Sequence, residues 1–235
     1  MSDATLATLL ARNARHVESL PGDHFATVEA GQAPPVVSVC CSDSRVSQEG
    51  MWDVDRPGWL FTPSTIGNQT WDLVDGDVVV DGSVLYPMVE TATETALVVG
   101  HTGCGAVAAA LAAARGEIST ADLPAGIAKW VDLLVPVVED GLADDRVDPG
   151  DDASLVDQLV EFNVDRQVAF LRESADVPDA VGVYGFVYDF QRAYGTAPGR
   201  TYLVNVDGET DPDALRDLTP DEHEGCVERL LPPEA

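Results

Sequence analysis

Lysine is almost missing from these 235 residues: Lys129 is the only one, and 13 Lys+Arg stand against 41 Asp+Glu for a formal net charge of −28. A surface of that sign repels phosphate, which excludes nucleic acid and anionic membranes as natural partners. Cysteine is scarce as well, since four are too few for a disulfide scaffold and an intracellular chain keeps them reduced. Long apolar runs are lacking. The 20-residue stretch without formal charge, Thr95 to Ala114, carries Gly100-His101-Thr102-Gly103-Cys104-Gly105 at its middle and alanines at its end, which reads as a strand, a loop and a helix start rather than a membrane span. No basic stretch followed by an apolar run opens the chain, so no secretory signal is expected and a soluble, cytoplasmic protein is.

What remains is a globular composition, with 45% hydrophobic and 23% charged residues in one domain-sized chain. The acids run from Asp3 to Glu234, so they read as solvated faces rather than one specific site. Acids everywhere, almost no lysine and a normal apolar content resemble the cytosolic proteins of salt-accumulating halophiles, archaea in particular, where salt screens the self-repulsion.

The spacing of apolar residues predicts a helix over 5–18 and a second short helix before Gly31. Val36 to Cys41 reads as a buried strand, Gly58 to Thr62 and Thr95 to Val99 as two more, with helices over 83–93 and 104–115. Residues 119–175 read as largely helical, broken by an acidic loop from Gly141 to Asp152, and 181–188 and 201–206 as strands joined by a turn near Tyr194-Gly195. Strands alternating with helices predict an α/β fold, a mostly parallel sheet with flanking helices. No linker divides the chain. One domain is expected over 1–235, with a helical arm (1–31), an α/β core that holds the metal site (32–116), a helical segment (117–178) and C-terminal strands with a tail (179–235).

Cys41-Ser42-Asp43-Ser44-Arg45 follows the first strand directly, and His101-Thr102-Gly103-Cys104 follows the third. The carboxyl ends of parallel strands face one crevice, so the two turns can meet although Cys41 and His101 are 60 positions apart. Cys41, His101 and Cys104 then supply two thiolates and an imidazole, three ligands for tetrahedral Zn²⁺ with the fourth position open, as in catalytic zinc sites. Cys40 points to the opposite face from Cys41 and reads as a packed core residue. Cys226 could pair with His223 on a metal, but one such pair is more economically structural or incidental. Asp43, two residues past a ligand, can either hydrogen-bond a metal-bound water or coordinate the metal itself. Arg45 can fork onto that carboxylate and hold it off.

These two motifs, Cys-Ser-Asp-Ser-Arg at 41–45 and Gly-His-Thr-Gly-Cys-Gly at 100–105, resemble those of the β-class carbonic anhydrases, and the resemblance runs from about Gln32 through Asn163-Val164 to Gly185-Phe186-Val187-Tyr188-Asp189. It implies Zn²⁺ on Cys41, His101 and Cys104, Asp43 and Arg45 as the catalytic dyad, and reversible hydration of CO₂ to bicarbonate and a proton by zinc-bound hydroxide. Gln32-Ala33-Pro34-Pro35 is similar to the plant-type subclass, which implies substrate-binding roles for Gln32, Phe61, Ile66, Tyr86 and Gly105. It also implies an obligate homodimer, open to higher assembly. The other subclass holds an inhibitory bicarbonate with a Trp, Arg and Tyr. Here Ser38 and Ser64 stand at the first two places and only Tyr188 remains, so no such allosteric site is expected. Ser64-Thr65 also departs from the usual Arg-Asn of the family. Two alternatives stay open: a hydrolase of CS₂ or COS on the same metal, and a zinc-binding relative without turnover, against which the intact Asp43 and Arg45 argue.

Overall fold

In the computed structural model, which describes residues 6–150 and 154–233, the chain runs α1 (Leu6–Ser19), β1 (Val36–Cys41), α2 (Gln48–Met51), β2 (Leu60–Phe61), β3 (Ser64–Thr65), β4 (Trp71–Val74), β5 (Asp77–Val80), α3 (Gly82–Glu90), β6 (Thr95–His101), α4 (Gly105–Ala114), α5 (Ala125–Ala143), α6 (Leu155–Glu173), β7 (Gly182–Asp189), β8 (Arg200–Val206) and α7 (Pro212–Asp217). Single 3-10 turns occupy Ile66–Asn68, Thr120–Asp122 and Asp221–Cys226.

Two valine-rich runs build the centre. Every residue of β1 is buried, as is all of β6 beyond Thr95, the burial of parallel strands covered on both faces. The sheet runs β2-β1-β6-β7-β8, parallel except for β8 at the edge, and β3 continues beside the end of β1. The pleat sorts side chains. Val37, Val39, Cys41, Ala96 and Val98 enter the large core shared with α4, α5 and α6, while Val36, Cys40, Leu97 and Val99 form a smaller cluster with Met51, Trp52 and Phe186. Helix α6 lies hard against the sheet where side chains are absent: a Cβ on Gly100 would meet Val160 and Val164 at 2.8 Å. Cys40 pairs with Val99 across β1 and β6, so Cys41 and His101, the last residues of their strands, emerge at the same edge of the sheet.

The expected α/β architecture is present, with differences in detail. Residues 22–30 form successive turns rather than a second helix, because Pro21 and Gly22 open the segment and its bonds are mostly short i to i+3 contacts such as His24 N–H to Pro21 O. The strand expected over 58–62 is only Leu60–Phe61. Helix α5 continues through Gly141 to Ala143, so the acidic loop starts later than expected. Thr5, where the first helix was expected to begin, and the Asp151-Asp152 end of that loop lie outside the described residues. The β4–β5 hairpin and α7 are elements beyond those expected.

Candidate metal centre

β1 delivers Cys41, β6 delivers His101, and Cys104 is the N-cap of α4. Their ligand atoms all lie within 4.8 Å of one another, the one group of this kind among the described residues. Cys104 Sγ is 3.9 Å from Cys41 Sγ. Two Zn–S bonds of about 2.3 Å at a tetrahedral angle set sulfurs about 3.8 Å apart, so the thiols already stand at the separation the ion needs. His101 Nδ1 lies 3.0 Å from the Thr102 carbonyl, which can only accept; Nδ1 therefore carries the proton and Nε2 a free lone pair. That Nε2 is buried and makes no hydrogen bond. A buried acceptor with no partner, beside two thiols, fits a tetrahedral zinc ion.

The electrostatics favour one thiolate first. Cys41 is pulled far below the usual thiol range, chiefly because the Cys104 thiol donates to it, then through His101 and the Gly67 N–H, with burial opposing. Gly67 reaches the sulfur at 3.4 Å from a φ of 73° that glycine adopts without strain. Cys104 is pushed up by the same sulfur contact and by burial, against the N–H groups of Val107 and Ala106 at the start of α4. Burial would lower the His101 pKa, yet the adjoining Cys41 sulfur and Asp43 leave it raised. Cys40, wholly buried on the other face, is pushed up by that burial and is the packed thiol the pleat implied.

Asp43 and Arg45 form the expected fork. Arg45 Nε donates to Asp43 Oδ1 at 2.9 Å and Nη2 to Oδ2 at 2.6 Å, and the Arg45 backbone N–H adds 2.9 Å to Oδ1. This holds Asp43 well below the ordinary carboxylate range, first through the guanidinium. Asp43 Oδ2 stays 3.9 Å from His101 Nε2. Gly103, inside the metal loop, is clamped from both ends: its N–H donates to buried Asp157 on α6 at 2.7 Å and its carbonyl accepts from Arg45 at 3.2 Å. Phe190, just past β7, stacks on His101 with ring centroids 5.6 Å apart.

A sequence model of the family described as Carbonic anhydrase matches residues 36–194, more than half of the chain. Carbonic anhydrase 2 of Mycobacterium tuberculosis is 35% identical over 193 residues, covering 80% of this chain and 84% of that protein. The chain belongs to the β-class carbonic anhydrases. A further relative in this family, the carbonic anhydrase of Pseudomonas aeruginosa, is 30% identical over 172 residues, covering 71% of this chain and 74% of that one. Among solved structures, the Coccomyxa beta-carbonic anhydrase in complex with acetazolamide superposes with a TM-score of 0.64 at 25% identity, over 79% of this chain and 82% of that one.

The other residues singled out in the carbonic anhydrase motifs lie around this centre unevenly. Gly105 is the first residue of α4, next to Cys104. Ile66 opens the 3-10 turn that supplies the Gly67 N–H, and Phe61 packs on Tyr86 with centroids 6.1 Å apart. Gln32 is exposed, in a groove with Val28, Gly58 and Trp59 that none of the three metal-site residues borders. Ser64-Thr65 is β3, tied in by Gln48 Nε2 on Ser64 Oγ at 3.2 Å and Thr65 Oγ1 on Gln69 O at 2.9 Å. His223 and Cys226 border an apolar groove with Trp52 and Phe186, and among the described residues neither belongs to a metal-binding group. Asp157 and Phe190 were missed by sequence reasoning. Phe190 follows the Gly185-to-Asp189 run at the carboxyl end of a parallel strand, a position that was a usable signal; Asp157 is 54 residues from the N–H it holds and left none.

Proposed function

We propose that the chain hydrates CO₂ reversibly on a zinc ion held by Cys41, His101 and Cys104, with Asp43 and Arg45 as its dyad. The observation that carries this reading is the donor set itself, two sulfurs 3.9 Å apart beside an unpartnered imidazole nitrogen. Bound zinc would lower the pKa of water toward about 7, supplying a nucleophile for CO₂ at neutral pH. Asp43, kept ionised by the Arg45 fork, is an acceptor only, so its Oδ2 takes a hydrogen bond from the attacking water and turns a lone pair toward the carbon. Arg45 keeps that carboxylate from turning inward and leaves one positive centre in an anionic shell.

The substrate wall of this reading is the plant-type one, with Gln32, Phe61, Ile66, Tyr86 and the Gly105 backbone, part of it supplied across a homodimer seam. Exposed apolar surface supports association: α1 buries no residue and shows Leu6, Leu9, Leu10 and Val17 at 57–73% exposure, while Ile66, Tyr86 and Val89 are also exposed. The allosteric bicarbonate site of the other subclass is absent in this reading, since Ser38, Ser64 and Tyr188 offer no cation. The charge of −28 makes assembly and turnover dependent on molar salt, as in a halophile.

The test is CO₂ hydration with zinc analysis across salt concentration, with COS and CS₂ run in parallel. Hydration that rises with salt and with zinc occupancy is expected. Failure to hydrate CO₂ at saturating zinc and salt, or turnover of COS or CS₂ alone, overturns the reading.

A further inference from the structure

Arg45 poses a problem that Asp43 alone does not solve. Its side chain is 47% exposed, and an exposed ion pair between near neighbours in sequence is ordinarily loose. Yet the fork on Asp43 is closed at both nitrogens, so something else fixes the guanidinium. Two groups do: the Gly103 carbonyl, which accepts from Nη2 at 3.2 Å, and the face of Phe190, whose centroid lies 4.7 Å from Arg45 Cζ.

We propose that Phe190 is the positioning residue of the dyad, an aromatic platform that fixes the Arg45 guanidinium and through it the direction of the Asp43 carboxylate. This rests on the functional reading above and adds to it a residue outside the metal motifs. The platform is itself rigid. The Phe190 N–H donates to Thr102 Oγ1 at 3.3 Å, and the Asp189 carboxylate accepts from the N–H groups of Gln191, Arg192 and Tyr194 at 2.9, 2.7 and 3.0 Å. Tyr188 packs edge-on against the ring at 5.8 Å. A phenyl ring also suits the task chemically: its face attracts the cation but has no acceptor atom, so it does not draw the fork away from Asp43.

The experiment compares Phe190→Leu and Phe190→Tyr in the full-length, zinc-loaded protein, each also in an Arg45→Ala background. Phe190→Leu, which keeps apolar bulk and removes the ring, should lower kcat about tenfold with zinc content and KM retained; Phe190→Tyr should restore it. In the Arg45→Ala background Phe190→Leu should have no further effect, because a residue acting through Arg45 has nothing left to act on. An equal effect in both backgrounds overturns the proposal. The second readout is solvent exchange of the Arg45 Nε–H proton by NMR, assigned with Arg45→Lys: slow in the wild type and in Phe190→Tyr, and faster in Phe190→Leu. Unchanged exchange overturns the proposal. A protein that fails to hydrate CO₂ contradicts the functional reading instead, and the NMR arm then still decides whether Phe190 holds Arg45.

Discussion

Arg45 and Arg229 each grip carboxylates, in opposite surroundings. Arg45 is about half exposed over Asp43, whereas the Arg229 side chain is 1% exposed and meets Glu161, itself 0% exposed, at 3.1 Å and Asp165 at 2.7 Å. Arg229 also donates to the Val204 carbonyl. Glu161 is completed by the Leu230 and Leu231 N–H groups at 2.8 and 3.0 Å and by the Tyr194 hydroxyl at 2.7 Å. Burial pushes the Glu161 carboxyl up, with Arg229 opposing. In the proposed function the first fork aims a carboxylate at the reacting water and, being exposed, contributes little to stability; the other ties the C-terminal segment, β8 and the loop after β7 to α6. The same pair of functional groups does positional work where water reaches it and structural work where it does not.

The comparison breaks most easily at Arg229. Arg229→Met leaves the buried Glu161 carboxylate and the partly buried Asp165 without their cation and should cost about 3–5 kcal/mol in denaturant unfolding at high salt, with zinc per folded chain unchanged. A loss under about 1 kcal/mol would place Arg229 with the surface pairs. Asp43→Ala should do the reverse. Turnover by stopped flow should fall about 10²-fold or more, while zinc is kept and unfolding stability stays within about 0.5 kcal/mol of wild type; undiminished turnover would remove Asp43 from the chemistry.

The smallest effect is expected at the sole lysine. Lys129 Nζ meets Asp72 at 2.6 Å over the Trp130 ring, with both side chains about a third exposed, so Lys129→Met should cost under about 1 kcal/mol. The Lys129 hydrogen bond is the first cause of the lowered Asp72 pKa. A depressed folded-state pKa adds stability above the unfolded value of about 3.9 and loses it as pH falls. The gap between wild type and variant should be present at pH 7 and shrink as pH falls below the unfolded value of about 3.9; a gap that does not shrink in acid would show that Lys129 acts by packing on Trp130.

Much of this was legible in the residues. Val36 to Cys41 and Thr95 to Val99 are apolar runs that read as strands of a sheet covered on both faces, and parallel pairing brings Cys41 and His101, two residues past the second run, to one edge. The β4–β5 hairpin was not expected, although Asp75-Gly76, at φ of 53° and 95°, is the two-residue turn that a tight hairpin demands. Asp157 and Arg229 were not legible, because each acts on a partner whose proximity depends on how α6 packs. Local periodicity holds no information about a carboxylate that reaches a loop 54 residues away.

Zinc stoichiometry and CO₂ hydration measured together, in the wild type and in Cys104→Ser at matched molar salt, test the central claim most directly. One zinc per chain with rapid hydration in the wild type, and loss of both in Cys104→Ser, is the expected result. A wild-type chain that hydrates CO₂ without zinc, or a Cys104→Ser chain that keeps zinc and full activity, would contradict it.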